Sequence, residues 1–342
     1  MDIKDAIRRV TGGGDLAAPE MVEVMTHVMS GETTDAQNAA FLVGLQMKGV
    51  KAAEILGAAR VMRELATPVK VGNRSHLVDT CGTGGSGAGK FNVSTAAAIV
   101  AACAGARVAK HGNRGATSKS GSADVLEAAG YNLALGPDQV GELIDRVGVG
   151  FMFAPAHHGA MKHVIAARRE IGVRTVFNLL GPLTNPAGAP NQLMGVFDGA
   201  WIRPLLEVLR ELGSEHVLIV AAEDGLDEIS IAAATRIGEL KDGNIGEFEL
   251  TPEALGLERA NDIDDLRVDS PAASLELVNR ALGWEHEKAA QLVALNAGAA
   301  IYAAGLSEDP AAGVARAVAI QQSGMAANKF RELVELSRSL GG

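Results

Sequence analysis

The sequence predicts an α/β protein with two domains. A small all-helical domain occupies residues 1–72, and a larger domain, residues 73–342, holds a mostly parallel central sheet flanked by helices. Three observations carry this expectation. Helical apolar periods run as far as Leu65, with no strand pattern before Val69–Val71. From Leu77 onward, short apolar runs alternate with helical stretches, the pattern of a parallel sheet with helices on both faces. The first of those runs ends in Asp79–Lys90, a loop with five glycines, and open α/β sheets take ligands at the carboxyl ends of their strands.

Each element follows from local pattern. Asp2–Val10 is short and amphipathic, and Pro19 marks a second helix with Met21, Val22, Val24, Met25 and Val28 on its apolar face. Thr33 or Thr34 caps a third over Thr34–Met47, and Lys51–Leu65 continues in helical period. Leu77-Val78 reads as a strand, Ala96–Ala104 as a helix, Arg107–Ala109 as a strand and Val125–Ala129 as a helix ending at Gly130. Then come a strand at Tyr131–Leu135, a helix at Pro137–Val147, a strand at Val149–Ala154, a turn at Pro155–His158 and a helix at Met161–Glu170. Phe177–Pro186 is a Pro- and Gly-marked connection without periodicity. Strands follow at Leu193–Val196 and His216–Ala222 around a helix at Pro204–Leu212. Ala233–Glu239 and Gly246–Leu250 suit later, antiparallel strands, and helices close the chain from about Ser274.

Composition bounds the function. The 342 residues suffice for a sizeable core, and 47% hydrophobic with 21% charged residues describe a globular chain. A formal charge of −10 argues against a general nucleic-acid surface. Lys4, Asp5, Arg8 and Arg9 interrupt any signal peptide, and no apolar run is long enough to span a membrane, so a cytoplasmic protein is expected. Two cysteines imply no disulfide framework. Cys103 suits a small buried hydrophobe, and Cys81 is a weak candidate nucleophile with no histidine at a telling spacing.

The glycine loop nearly matches two nucleotide fingerprints. Gly82-Thr83-Gly84-Gly85-Ser86-Gly87 fits the dinucleotide pattern, but the next strand ends in Lys110 where a ribose-binding acid belongs. Gly84–Lys90 fits most of the P-loop pattern, but Phe91 stands where a magnesium-binding hydroxyl belongs. What survives is a cradle of backbone N–H groups facing a helix N-terminus, with Ser94 and Thr95 at the helix start; a tight packing turn is the plainer reading. Lys110-His111-Gly112-Asn113-Arg114 puts two cations and two polar groups at a strand end, suited to a polyanion, and Ser118, Ser120 and Ser122 add hydroxyls. Asp227 and Glu228 follow another strand. In a loop they can converge on magnesium that bridges carboxylate and phosphate, although loop acids are more often solvated surface. Arg168 suits either a substrate carboxylate or a surface helix, and His157-His158 lacks a third ligand for metal.

Taken together these pieces resemble the anthranilate phosphoribosyltransferase family, within the nucleoside phosphorylase-like class. The matching segments are Gly82–Gly85, Asn92–Thr95, Lys110–Arg114, Gly121–Asp124, Arg168–Glu170, Phe177–Pro186 and Gly225–Glu228, and they span nearly the whole chain. The resemblance implies transfer of phosphoribosyl from phosphoribosyl pyrophosphate to anthranilate in tryptophan biosynthesis, magnesium as cofactor with two ions, and a homodimer through the helical domain, completed by part of 165–190. By position, it implies a substrate site of Gly82, Gly85, Ser86, Lys90, Asn92, Val93, Ser94, Thr95, Lys110, His111, Gly112, Asn113, Arg114, Ser118, Ser122 and Arg168. Lys110 and Arg168 would act in catalysis, and Ser94, Asp227 and Glu228 would hold metal. Three positions depart from the family's usual pattern: Ser86 for Asp, Lys90 for Thr, and Gly159 for Pro. A pyrimidine nucleoside phosphorylase and a nucleic-acid-binding relative of the same fold are the alternatives.

Overall fold

The computed structural model describes residues 1–85, 89–115 and 118–341. Four helices open the chain, Ile3–Thr11, Ala18–Met29, Asp35–Lys48 and Ala52–Glu64. Side-chain oxygens of Asp2 and Thr34 cap the first and third, as the sequence leads one to expect of such residues. Their apolar faces pack with Val164, Val176, Phe177, Leu179 and Leu180 into one cluster, which continues to Met194, Val217 and Ile219 on one face of the sheet. The opposite face packs against the Ala-rich helix Val93–Cys103 and the helices from Pro271 onward. None of the helices among the described residues is long and apolar enough to cross a membrane.

Seven strands form the sheet: β1 Leu77–Gly82, β2 Arg107–Gly112, β3 Val149–Phe153, β4 Asn191–Gly195, β5 His216–Ala222, β6 Thr235–Lys241 and β7 Asn244–Leu250. Their spatial order is β3-β2-β1-β4-β5-β6-β7. The first five run parallel, and β6 and β7 return antiparallel. From β1 the chain passes to β2 and β3 on one side, then returns to place β4 and β5 on the other. The order therefore reverses between β1 and β4, and a crevice opens at their carboxyl ends.

Gly82 and Gly195 are register partners at that crevice. A Cβ on Gly195 would lie 1.7 Å from the backbone oxygen of Asp227, so only glycine lets the turn after β5 lie across the end of β4. On Gly82 a Cβ would meet Asp227 Oδ2 at 3.3 Å. These two close approaches bring residues 225–228 over the end of β1.

The structure corrects several local expectations. Val69–Val71 is not a strand: Val69 N–H donates to Pro186 O at 3.0 Å, and no neighbouring strand continues the pairing. Tyr131–Leu135 is not one either, because Tyr131 N–H closes the preceding helix by donating to Leu126 O at 2.9 Å. The expected helix at Met161–Glu170 is broken at Val164 into a 3₁₀ turn, Gly159–His163, and the helix Ile165–Ile171. The expected turn at Pro155–His158 is a single helical turn, Ala154–His157. Phe177–Pro186 contains two short helical turns, Phe177–Leu180 and Gly181–Leu183. β1 and β2 both extend farther than their apolar runs, so Asp79, Lys110 and His111 are strand residues buried at the carboxyl end of the sheet.

Candidate active site

Lys110 comes from β2 and is 2% exposed. Its ammonium donates to Thr80 O on β1 and to Ser94 Oγ at 3.1 Å, at the start of the helix Val93–Cys103. Burial pulls this ammonium below the ordinary lysine range, and the neighbouring Asp79 works against that shift. The Asp79 carboxyl is itself raised by burial, while Asn185, Lys110 and the His111 backbone support its charge. Its two oxygens accept from His111 N–H at 3.1 Å and Asn185 Nδ2 at 2.8 Å. Asp79 thus keys the second polar loop and the 177–186 segment to β1. Sequence reasoning missed Asp79 and Asn185; the Asp ahead of the glycine loop was the available signal.

The helix beginning at Val93 has no side-chain cap at its N-terminus, and the Thr95 hydroxyl is buried with no hydrogen-bond partner among the described residues. Both features suit an anion at the helix end. Asn92 is engaged elsewhere. Its Oδ1 accepts from Ser120 Oγ at 2.7 Å and Ser274 Oγ at 2.6 Å, tying the glycine loop to the second loop and to the helix Pro271–Leu282. Ser118 Oγ donates to Ser120 O at 3.2 Å. Ser122 begins the next helix, Ser122–Ala128, beside Gly112. Ser86 lies outside the described residues. Gly85 O accepts from Arg174, whose guanidinium lies 4.2 Å from the Phe197 ring centroid. No motif singled out that arginine.

Arg114 turns toward Asp124 and Glu127, at 3.0 and 2.7 Å, rather than toward the helix end at Val93. Asn113 Oδ1 accepts from Arg114 N–H at 2.7 Å. Arg168 is half-buried over the Phe177 ring, 5.0 Å from its centroid, with no carboxylate partner among the described residues. Burial lowers its pKa from the ordinary arginine value.

Asp227 and Glu228 lie together after β5, and both face Lys90. Lys90 Nζ is hydrogen-bonded to Asp227 Oδ1 and forms an ion pair with Glu228 Oε2 at 2.6 Å. Burial pushes the Glu228 carboxyl above the ordinary range, with Lys90 opposing it. No group of three or more His, Cys, Asp or Glu suited to a metal occurs among the described residues. A pair of adjacent carboxylates sharing one ammonium fits magnesium, which commonly takes one or two carboxylates and completes its shell with phosphate and water.

The remaining candidates are structural. Cys81 Sγ accepts from Gln192 Nε2 at 2.9 Å, and burial pushes its thiol well above the ordinary range, which removes the thiolate a nucleophile needs. His157 Nδ1 pairs with Thr67 O at 3.1 Å, and His158 Nε2 faces His111 Nε2 at 3.2 Å.

Known proteins resemble this chain over nearly its whole length. The "Glycosyl transferase family, a/b domain" matches residues 74–327, and the "Glycosyl transferase family, helical bundle domain" matches residues 4–66. The anthranilate phosphoribosyltransferase of Thioalkalivibrio sulfidiphilus is 56% identical over 339 residues, 99% of this chain and 100% of that relative. That of Alkalilimnicola ehrlichii is 56% identical over 341 residues, 99% of this chain and 100% of the relative. Among solved structures, the Thermus thermophilus enzyme superposes with a TM-score of 0.91 at 44% identity, covering 98% of this chain and 99% of its own. The Saccharomyces cerevisiae enzyme, solved in complex with phosphoribosyl pyrophosphate and magnesium, shares the fold at a TM-score of 0.89 and 23% identity, covering 98% of each chain. The fold is that of the glycosyltransferase class with a helical-bundle domain. Within it, the chain belongs to the anthranilate phosphoribosyltransferase family.

The buried histidine pair generates a pH prediction. Burial, with repulsion from neighbouring histidines, lowers His111 to about 3 and His158 to about 4. In the unfolded chain both return to about 6.5. Their contribution is therefore complete above pH 6.5 and is lost as pH falls toward the folded values, by up to about 1.4 kcal/mol per pH unit for each ring. Urea midpoints at pH 7.5 and 5.5 should differ less for His158→Gln than for the unaltered protein; an equal difference would contradict the assignment.

Proposed function

We propose that this enzyme transfers the phosphoribosyl group of phosphoribosyl pyrophosphate to the amine of anthranilate, giving N-(5-phosphoribosyl)anthranilate and pyrophosphate, in tryptophan biosynthesis. The observation that carries the reading is the meeting of Lys110, the helix N-terminus at Ser94 and Thr95, and the acids Asp227 and Glu228 at one crevice between β1 and β4.

The difficult event is cleavage of the C1–O bond. Positive charge grows on the ribose and negative charge on the leaving pyrophosphate, while the anthranilate nitrogen bonds to C1 and releases a proton. Lys110 and the backbone N–H groups from Gly82 to Gly85 stabilise the leaving diphosphate. Ser94 and Thr95 add hydroxyl donors, and Val93 adds the helix terminus. Asp227, Glu228 and Ser94 would hold magnesium, which would neutralise further charge on the diphosphate. Arg168 forks onto the acceptor carboxylate, and Asn113, Gly112 and His111 line the acceptor side, contributing proximity. Ser122 and Ser118 lie at the ribose and phosphate end. None of these side chains is assigned as a general base; the acceptor's own carboxylate takes that part.

Residues 1–72, completed by part of 165–190, form the dimer-making domain. Met47 (83%), Ile165 (51%) and Val173 (57%) are exposed on those segments and would be covered by a second copy. Light scattering should give twice the chain mass; a monomer would refute it.

Loss of anthranilate fluorescence with phosphoribosyl pyrophosphate and magnesium tests the reaction. Turnover is expected, and no loss with cleavage of uridine or thymidine instead would favour the phosphorylase. Combining Asp227→Asn with Glu228→Gln should lower kcat/KM on the order of a hundredfold or more and flatten the magnesium response. An unchanged response would remove the metal role of the pair.

A further inference from the structure

The ammonium of Lys90 lies between the two acids assigned above to metal. Its nitrogen bridges the two carboxylates, hydrogen-bonded to Asp227 and 2.6 Å from Glu228 Oε2. All three side chains are nearly withdrawn from water, at 11%, 11% and 12% exposure. A single positive charge cannot neutralise two carboxylates, so the group keeps a net negative charge. The root of the lysine is fixed. Gly89 O accepts from Val268 N–H at 2.8 Å, Phe91 N–H donates to Leu266 O at 3.2 Å, and Lys90 itself forms an antiparallel bridge with Arg267. Phe91 is buried at 1% exposure. The backbone is therefore pinned on both sides, while the four-carbon stem leaves the charged head free to swing.

We propose that Lys90 is a tethered counter-cation of the metal site, holding Asp227 and Glu228 until a diphosphate arrives with its divalent ion and draws the ammonium away. This rests on the metal role given above to the two acids. Two cations in contact with the same pair of carboxylates repel strongly in a site with little water. Because Lys90 belongs to the same chain, it competes at a high effective concentration and is not diluted away. A divalent ion alone thus meets an occupied pair. A diphosphate changes the balance, because it offers the ammonium another anion and brings ligands for the metal. Lys90 moves by side-chain rotation alone, from the acids to the diphosphate, and the metal enters between the two. The lysine thereby couples metal entry to diphosphate binding, and it disfavours a metal-loaded site that lacks substrate.

The test measures metal binding rather than turnover. MnCl2 is titrated into the full-length, substrate-free protein, with free Mn²⁺ read by its electron paramagnetic resonance signal. Lys90→Met should bind Mn²⁺ about tenfold tighter or more than the unaltered protein, a change of about 1.4 kcal/mol. Lys90→Arg should remain weak. Adding inorganic pyrophosphate should narrow the difference between Lys90→Met and the unaltered protein. Should the methionine variant fail to fold, Lys90→Gln keeps a neutral donor against the acids and should show the same direction. Equal Mn²⁺ affinity with and without Lys90, or an advantage that pyrophosphate leaves unchanged, would overturn the proposal. Asp227→Asn with Glu228→Gln in the Lys90→Met background separates the two readings. Loss of Mn²⁺ binding there keeps the acids as the metal site whatever Lys90 does, whereas retained binding overturns the metal assignment itself.

Discussion

The balance of buried charge governs this site. Asp79, Lys110 and Glu228 are each at most 9% exposed, and Lys90 with Asp227 is little more so. Ions withdrawn from water this far cost several kcal/mol each unless neighbours compensate them. Compensation here runs across the fold. Lys110 on β2 lies beside Asp79 on β1 and donates to Ser94 at the helix start, and Lys90 at the end of the glycine loop holds the two acids after β5. The Lys90 pairings join segments 137 and 138 positions apart, so the charges specify which loop lies over which strand. Glycine at 195 is the steric counterpart, since any side chain there would push the acid turn off the sheet.

The same arrangement prepares the chemistry. The acceptors that satisfy Lys110 in the free protein, the Thr80 carbonyl and the Ser94 hydroxyl, are neutral oxygens that a phosphate can outbid. The uncapped helix end and the unpartnered Thr95 hydroxyl are oriented before any ligand binds. Preorganised dipoles of this kind need no rearrangement as charge develops on a leaving group. The acid pair differs, because its counter-ion is a side chain of the protein itself.

Much of this architecture was legible in the sequence because it rests on local pattern. The alternation of apolar strands with helices gave the sheet class; Thr34 marked a helix end through its side-chain cap, and Pro137 and Gly130 through their backbone preferences. The loops were legible through glycine spacing and the cations that follow. Where the sequence misled, the cause was tertiary. Val69–Val71 and Tyr131–Leu135 have β-type composition, but their backbone groups bond to Pro186 and Leu126 and never meet a strand. Asp79 and Lys110 read as loop residues because polar side chains interrupt apolar runs, whereas burial at the sheet's end makes them strand residues. Lys90 is the clearest limit. Its partners lie 137 and 138 positions away, and nothing local to the glycine loop points at them.

The central claim is that the crevice between β1 and β4 assembles one diphosphate–metal site from Lys110, the helix start and the acids after β5. Anomalous diffraction from crystals grown with phosphoribosyl pyrophosphate and Mn²⁺ tests it most directly. A manganese peak is expected in contact with Asp227 and Glu228, with the Lys90 ammonium displaced toward the diphosphate. A peak remote from both acids, with Lys90 still bridging them and diphosphate bound, would contradict it.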